Sequence, residues 1–242
     1  MRVSGVDVYT RVPIGLAKCI CMYTCVQPLL RIDSKPMNQD ERDERHVQIQ
    51  AAAFALLKEQ GYRKTSMLAI AKRAQASNQT LYAWYSNKQA LFRGIIESFG
   101  GAAREQLLAA LHEDQDPLEA LRALGPTLLR FTTDEHAIIM NRAAVTDAAE
   151  TGVLARAIDE VARDVLYPLI RDLMQRLVAI GVFDAGTDAD EAAQSYVALL
   201  FGETQLRQAL GNLPPFDEVE IARRAERAFV LTCRLFQVRP AR

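Results

Sequence analysis

The stretch that decides the fold is residues 47–93, which read VQIQAAAFALLKEQGYRKTSMLAIAKRAQASNQTLYAWYSNKQALFR. Apolar residues recur in it at spacings of three and four, which is the period of a helix with one buried face. Gly61, Ser77 and Asn87 interrupt this pattern, and residues of these types commonly end or begin helices. The stretch therefore predicts a series of short helices and no strands.

The first helix is predicted from about residue 41 to residue 60, and Gly61 provides its left-handed stop. The helical period predicts that its buried face contains Val47, Ala51, Phe54 and Leu57. A long helix is predicted over about 88–112, after the cap Asn87, with a bend near Gly100-Gly101.

Between these two helices lie two short ones with the proportions of a helix-turn-helix motif. Thr65 or Ser66 caps the first, Ser77 caps the second, and residues 75–77 form the turn. The apolar residues predicted to hold the pair together are Leu68, Ala71, Leu81 and Tyr85. The polar residues left facing outward suit DNA, because amides bond base edges and hydroxyls reach phosphate oxygens; they are Asn78, Gln79, Thr80 and Tyr82.

The charge of the chain is unevenly divided, although its formal total over 242 residues is only -1. Residues 45–93 carry eight basic side chains and one acidic side chain, whereas residues 94–242 carry 15 basic and 23 acidic ones. A basic module joined to an acidic one is expected when one part meets a polyanion and the other does not. The overall composition, with 50% hydrophobic and 24% charged residues, is that of an ordinary globular protein.

The second half also reads as helices, predicted near 117–132, 134–147, 153–180, 188–211 and 217–238, so the chain is expected to be all-α. Pro126 and Pro168 are expected to kink the helices that contain them. Asp116, Asp188 and Asp217 stand at cap positions. Apolar residues on the last two helices face more than one side, which is compatible with a dimer surface as well as a core; they are Tyr196, Leu199, Leu200, Leu206, Ile221, Phe229, Leu231 and Phe236.

Residues 1–40 are expected to be a disordered extension or the product of a start codon upstream of the true one, Met37. Lys18 interrupts their apolar segment, which is too short to span a membrane, and no signal-peptide cleavage site follows. Cys19, Cys21 and Cys25 lack the paired spacing of a structural zinc site. We expect that deletion of residues 1–36 leaves folding and DNA binding intact.

No enzyme, metal site or cofactor is predicted. His112 and His136 have no metal-binding neighbour at four-residue spacing on their own helices, and the sequence contains no glycine-rich phosphate loop and no nucleophile elbow. Carboxylates such as Asp159, Glu160 and Asp164 are interpreted as solvated helix faces.

Taken as a set, the motifs of residues 47–93 resemble the DNA-binding domain of the TetR/AcrR family of bacterial transcriptional regulators. The marks are Ala53-Phe54 followed by Gly61-Tyr62 and Thr65-Ser66, then Ile70-Ala71, Ala74, Thr80-Leu81-Tyr82 and Asn87-Lys88 with Leu91. The second half is loosely similar to the AefR-like branch. The resemblance implies a three-helix helix-turn-helix DNA-binding domain over residues 41–93 and a helical ligand-binding and dimerisation domain over residues 94–242.

The resemblance also implies roles for individual residues. Thr65 and Lys88 would hold phosphates, Tyr82 would pin the recognition helix to the DNA backbone, and Asn78, Gln79 and Thr80 would read bases. Apart from the resemblance, Arg63, Lys64, Lys72 and Arg73 form either a diffuse surface charge or a phosphate-facing group, which the near absence of acidic residues in the module favours. Trp84 would either donate to a phosphate or belong to the core. The chain departs from the family at Gln75 and Gln79, where glycine is common, so Gln75 is expected in a left-handed conformation that costs about 1 kcal/mol.

The function implied is that of a cytoplasmic, nucleoid-associated bacterial repressor. It would bind a palindromic operator in double-stranded DNA as a homodimer and leave it when a small, mostly apolar effector binds. The candidate pocket residues are Phe131, His136, Met140, Asn141, Tyr167, Met174 and Phe201. The alternatives are an activator, a regulator controlled by a protein partner, or, in another class, a helical protein that binds lipids or drugs.

Overall fold

A computed structural model describes residues 39–111 and 115–237, and within these ranges the chain is built from helices and short connections. The helices are α1 (Gln39–Lys64), α2 (Met67–Arg73), α3 (Asn78–Trp84), α4 (Lys88–Ala110), α5 (Pro117–Thr133), α6 (Glu135–Ala148), α7 (Val153–Glu160), α8 (Tyr167–Ala179), α9 (Ala189–Phe201), α10 (Thr204–Ala209) and α11 (Glu218–Phe236). A π-helical segment, Val161–Leu166, joins α7 to α8. No helix within these two ranges is both long enough and apolar enough to cross a membrane.

Some of the sequence predictions fall outside these ranges. The expected extension, its three cysteines and the effect of deleting residues 1–36 concern residues that the structure does not describe, and so does His112.

The buried face of α1 is rotated from the predicted one. Val47 is 65% exposed and Ala51 is also exposed, so their assignment to the core is wrong, whereas Leu57 is buried as predicted. The buried residues are Ile49, Ala52, Ala53, Leu56 and Leu57. The helical period defines the width of an apolar stripe, but in an alanine-rich helix it does not decide which of two adjacent rows meets the core. Gly61 interrupts α1 with a φ of 77°, as the predicted stop.

The helix-turn-helix forms where the sequence places it. Ser66 caps α2 by accepting a hydrogen bond from the Ala69 N–H at 3.2 Å, and Ser77 caps α3 by accepting from the Thr80 N–H at 2.9 Å. Ala71, Leu81 and Tyr85 are buried between the two helices and their neighbours. Leu68 is 64% exposed, so the prediction that it joins this core is wrong; Met67 is the residue of that turn that packs inward.

Gln75 adopts the left-handed conformation expected of it, with a φ of 51°. A residue with a Cβ pays about 1 kcal/mol for this conformation, and glycine does not. We therefore expect Gln75→Gly to raise the free energy of unfolding by about 0.5–1 kcal/mol, measured by urea denaturation. Gln175→Gly, in the middle of α8, is the control and should lower stability by about 1 kcal/mol. Equal destabilisation by both variants would contradict the account of the turn.

Two helices predicted as continuous are broken in the structure. The segment 153–180 contains the π-helical turn, in which the N–H of Tyr167 donates to the carbonyl of Ala162, and Pro168 follows without an N–H to offer Asp164. The segment 188–211 ends its first helix at Gly202, whose φ is 49°. Helical periodicity persists through such breaks, which is why the sequence reads as continuous.

Gly125 and Pro126 do not interrupt α5, and Gly100 and Gly101 do not interrupt α4. A Cβ at Gly125 would lie 2.9 Å from that of Ala225, and one at Gly100 would lie 2.6 Å from a methyl group of Val161. These glycines therefore permit close helix packing. Gly100 brings α4 against the π-helical segment, and Gly125 brings α5 against α11.

The core of the helix-turn-helix continues into the second half of the chain. Met140, Ala143 and Ala144 of α6, with Leu154 and Ala157 of α7, belong to the same buried cluster as Ile70, Leu81 and Phe92. A second cluster lies among α5, α8, α9 and α11. The long helix α4 contributes residues to both clusters. The helix-turn-helix therefore rests directly on α6 and α7.

Candidate DNA interface and ligand cavity

The outer face of α3 presents the polar residues predicted to read DNA. Asn78 and Gln79 are exposed at its first turn, and Tyr82 is 54% exposed one turn further on. Thr80 is half-buried, and its hydroxyl lies 2.8 Å from that of Ser77. Two amides and a phenol thus share one accessible face, while Leu81 anchors the opposite face in the core.

Thr65 is placed differently from a phosphate contact. Its side chain is 2% exposed, and its hydroxyl donates to the carbonyl of Gly61 at 2.9 Å. The exposed hydroxyl at this end of α2 belongs to Ser66. In this conformation Thr65 stabilises the connection between α1 and α2, and its contact with DNA stays a prediction.

Lys88 and Trp84 are both engaged within the protein. The Lys88 ammonium donates to the Tyr62 carbonyl at 3.0 Å and lies 4.0 Å from the centre of the Tyr62 ring. Trp84 is half-buried and stacks on His46 with the ring centres 4.2 Å apart. Lys88 therefore ties the start of α4 to the end of α1, and Trp84 packs α3 against α1.

Most cations of the basic module already have partners, several of them in the acidic half. Lys58 pairs with Glu135 at 2.8 Å, Arg63 with Glu150 at 3.4 Å, and Arg93 with Glu160 at 2.6 Å. Arg73 pairs with Glu59, and Arg45 donates to the Ala74 carbonyl. Among the described residues of the module, the cations that remain exposed without an ion pair are Lys64 and Lys72. They are the best candidates for phosphate contacts.

We expect the double variant Lys64→Ala, Lys72→Ala to weaken binding to all DNA sequences and to flatten its dependence on salt. Each phosphate contact contributes about 0.9 to the slope of log affinity against log salt, so the slope should fall by nearly two. Fluorescence anisotropy at several salt concentrations measures it. Lys58→Ala, which removes a cation paired with Glu135, is the control and should leave the slope unchanged. An unaltered slope in the double variant would remove these lysines from the interface.

A buried carboxylate that the sequence did not reveal links α1 to α6 and α7. Asp147 is 0% exposed, and its oxygens accept hydrogen bonds from the Thr151 hydroxyl at 2.8 Å, the Leu154 N–H at 3.1 Å and the Tyr62 hydroxyl at 3.3 Å. Burial and the nearby carboxylate raise the pKa of Tyr62 far above its usual value, so its hydroxyl remains a donor. Tyr62 in turn holds Lys88.

A cavity of about 530 Å³ opens among α4, α5, α6 and the segment around the π-helical turn. It is lined by Ile96, Phe99, Gly100, Ala102, Gln106, Arg130, Phe131, Thr132, Asp134, His136, Ala137, Met140, Asn141, Ile158, Val161, Ala162, Leu166 and Gln205. Four of the predicted pocket residues are among them: Phe131, His136, Met140 and Asn141. Its volume is that of a site for a drug-sized molecule.

The other three predicted pocket residues lie elsewhere. Met174 is fully buried in the second core cluster, and Phe201 packs against that cluster. Tyr167 donates its hydroxyl to the Asp190 carbonyl at 3.0 Å. The π-helical turn precedes Tyr167 and changes which side of the following helix faces the cavity, so Val161, Ala162 and Leu166 line it instead.

His136 lines the cavity and also contacts α1, and sequence reasoning missed this contact. The His136 ring stacks on Phe54 of α1 with ring centres 4.2 Å apart, and it lies 5.6 Å from the ring of Phe99 in α4. Glu135, which forms an ion pair with Lys58 of α1, directly precedes His136 in the chain. In the sequence, only the unusual placement of an aromatic residue on an alanine-rich helix hinted at such a contact.

Comparison with known proteins agrees with this geometry. A family model described as bacterial regulatory proteins of the TetR family matches residues 49–95, and one described as the C-terminal domain of AefR-like transcriptional repressors matches residues 119–237. The regulator YdeS of Bacillus subtilis, strain 168, a helix-turn-helix-type transcriptional regulator, is 42% identical over 100 residues, which are 41% of this chain and 48% of YdeS.

Solved structures extend the likeness to most of the chain. The flavonoid-responsive regulator FrrA is 27% identical, with a TM-score of 0.62 over 82% of this chain and all of the other. The TetR-family repressor FadR of Thermus thermophilus, solved with lauroyl-CoA, is 25% identical, with a TM-score of 0.56 over 81% of this chain and 97% of the other.

The fold and the exposed face of α3 define a DNA-binding transcriptional regulator of the helix-turn-helix class, not an enzyme. The chain belongs to the TetR family, and its second half matches the AefR-like branch. This membership sets aside the alternative of a lipid- or drug-binding protein that does not act on DNA.

Proposed function

We propose that this regulator is a repressor that leaves its operator when a small, mostly apolar compound fills the cavity among α4, α5 and α6. The proposal rests on one observation: α4 and α6 line the cavity and also contact the helices of the DNA-binding domain. Ile96 and Phe99 line the cavity from α4, whose first turn Lys88 fixes to α1, and His136 lines it while stacking on Phe54. A compound in the cavity would therefore touch the supports of the helix-turn-helix.

On the DNA side, the proposal assigns base contacts to Asn78, Gln79 and Thr80 and backbone contacts to Tyr82, Lys64 and Lys72. The amides and the phenol are exposed on α3, and the two lysines have no ion pair in the described chain. Thr65, Trp84 and Lys88 support these contacts from behind, through the packing described above. Any direct contact that they make with phosphate would require movement from the present conformation.

We further propose a homodimer built on α9 and α11. Leu199 of α9 and Val219 and Leu235 of α11 are exposed, with Leu235 at 59%. Tyr196, Leu200, Ile221 and Phe229, which the sequence offered for this surface, are buried within the chain instead. A two-fold dimer presents two α3 helices to successive major grooves, so the operator is expected to be palindromic, on the nucleoid in the bacterial cytoplasm.

Release then follows from differential binding. A compound that binds better to a state in which the two α3 helices no longer match the groove spacing shifts the population toward that state. A change from mostly bound to mostly free requires about 5.5 kcal/mol of differential affinity. FrrA is named as flavonoid-responsive and FadR was solved with lauroyl-CoA, so membership of the family leaves the chemistry of the compound open.

The experiment is a screen for release of a fluorescent operator, selected from random-sequence DNA with this protein. A library of drug-sized compounds is added to the complex, and anisotropy reports free DNA. Ala102→Trp, which places a large ring at the exposed edge of the cavity, is the control and should abolish the response while retaining DNA binding. Compounds that release DNA equally from both proteins would place the effector site outside the cavity.

The alternative within the family is an activator or a regulator that answers to a protein partner. Transcription in vitro from the promoter beside its own gene separates the two: a repressor lowers the amount of transcript, and the releasing compound restores it. A rise in transcript on adding the protein would favour the activator.

A further inference from the structure

The lining of the cavity narrows the chemical class of the compound, if the cavity is the effector site proposed above. Its walls are chiefly hydrocarbon, supplied by aliphatic residues of α4, α6, α7 and the π-helical turn, such as Ile96, Met140, Ile158, Val161 and Leu166. Three rings, those of Phe99, Phe131 and His136, also border it. Rings of this kind favour flat, apolar partners that stack on them or meet them edge to face.

The ionisable groups that line the cavity already have partners within the protein. The Arg130 guanidinium donates to both carboxylate oxygens of Glu218, at 2.7–3.1 Å. His136 Nδ1 lies 3.4 Å from a carboxylate oxygen of Asp134, whose other oxygen accepts from the Ala137 N–H at 2.7 Å. Among the described lining residues, no cation is left over to hold a carboxylate or a phosphate, groups that proteins usually bind with unpaired arginine or lysine.

Uncharged polar groups, in contrast, are available. Gln106, Asn141 and Gln205 line the cavity, and their carboxamides make no hydrogen bond within the described ranges. Asn141 is half-buried, whereas the two glutamines stand at the exposed rim. A carboxamide offers both a donor and an acceptor, so it pairs with hydroxyl and carbonyl groups without needing charge.

We propose that the effector is an uncharged, ring-containing compound of drug size that carries hydroxyl or carbonyl groups, and not an anion such as a fatty acid or an acyl-CoA. The rings and aliphatic walls accept its apolar body, and Asn141 hydrogen-bonds its polar group. An anion would have to compete with Glu218 for Arg130 or remain unpaired beside hydrocarbon. The second is costly, because a charge loses its hydration there.

The test uses the full-length protein with two probes: naringenin, a hydroxylated flavanone in its uncharged form, and lauroyl-CoA. Naringenin is expected to raise the Tm and to release the operator, and lauroyl-CoA is expected to do neither at equal concentration. Asn141→Leu should weaken naringenin binding about tenfold, the loss expected when one hydrogen bond at a half-buried site goes unmade. Gln175→Leu, which removes an exposed carboxamide of α8 away from the cavity, is the matched control.

The outcomes separate this inference from the proposed function. If lauroyl-CoA releases the operator and naringenin does not, and Ala102→Trp abolishes the release, the ligand class is wrong and the effector cavity stands. If Asn141→Leu binds naringenin as the parent does, the assignment of its carboxamide is wrong. If neither probe class, extended to a set of neutral ring compounds and their carboxylates, binds or releases DNA, the effector role of the cavity fails as well.

Discussion

A protein carrying both Gln79→Ala and Tyr82→Ala is expected to bind its operator about a hundredfold more weakly than the parent, with its fold intact. The loss of a base contact costs about 1–3 kcal/mol, and the loss of a hydrogen bond to the DNA backbone about 1 kcal/mol or more. Every 1.4 kcal/mol is a factor of ten in affinity. Both side chains are exposed on α3, so their removal should leave the Tm within about 2 °C.

The single variants separate the two roles. Gln79→Ala should reduce the preference for operator over unrelated DNA, because the proposal assigns its amide to a base edge. Tyr82→Ala should weaken binding to both by the same factor, because the proposal assigns its phenol to the DNA backbone, which carries no sequence information. Anisotropy with operator and with a scrambled duplex measures the ratio, and Gln175→Ala serves as a control. Unchanged operator affinity in the double variant would show that α3 is not the recognition helix.

The second large effect concerns the buried carboxylate beneath the helix-turn-helix. Asp147→Ala is expected to lower the free energy of unfolding by about 3–5 kcal/mol, because the Leu154 N–H and the Tyr62 hydroxyl lose their acceptor in a buried site. For a chain of this size the Tm should fall by about 6–20 °C in a calorimetric scan.

Asp159→Ala provides the control for this variant. Asp159 is exposed and pairs only with Arg163 one turn away, so its loss should cost less than about 0.5 kcal/mol. Similar stability of the Asp147 and Asp159 variants would mean that the Asp147 carboxylate does not hold Tyr62 and α7 in place.

Local signals in the sequence predicted much of the DNA-binding half. Ser77 and Asn87 are caps and Gly61 is a stop, because each of these depends on a residue's own backbone preference. The strained conformation of Gln75 was predicted from the resemblance to the TetR family, in which glycine is common at this position. The rotation of α1 was not predictable from the same signals. Alanine is small and weakly apolar, so a row containing Ala52 and Ala53 competes evenly with a row containing Val47 and Ala51.

The cavity could be predicted only in part, because it depends on long-range packing. Phe131, His136, Met140 and Asn141 lie on α5 and α6, whose bounds the sequence placed closely, and they do line it. Tyr167 and Met174 follow the π-helical turn, which rotates the helix face by an amount that periodicity does not reveal. The links from Asp147 to Tyr62 and from His136 to Phe54 join residues more than eighty positions apart, which a single sequence does not pair.

The central claim is that the cavity and the recognition helices are energetically coupled. Isothermal titration of the releasing compound into the protein, with and without saturating operator, tests it directly. Thermodynamic reciprocity requires that operator weaken the binding of the compound by the same factor by which the compound weakens the binding of operator. We predict a Kd for the compound that rises by that factor when operator is present. Equal Kd values in the two titrations would contradict the account.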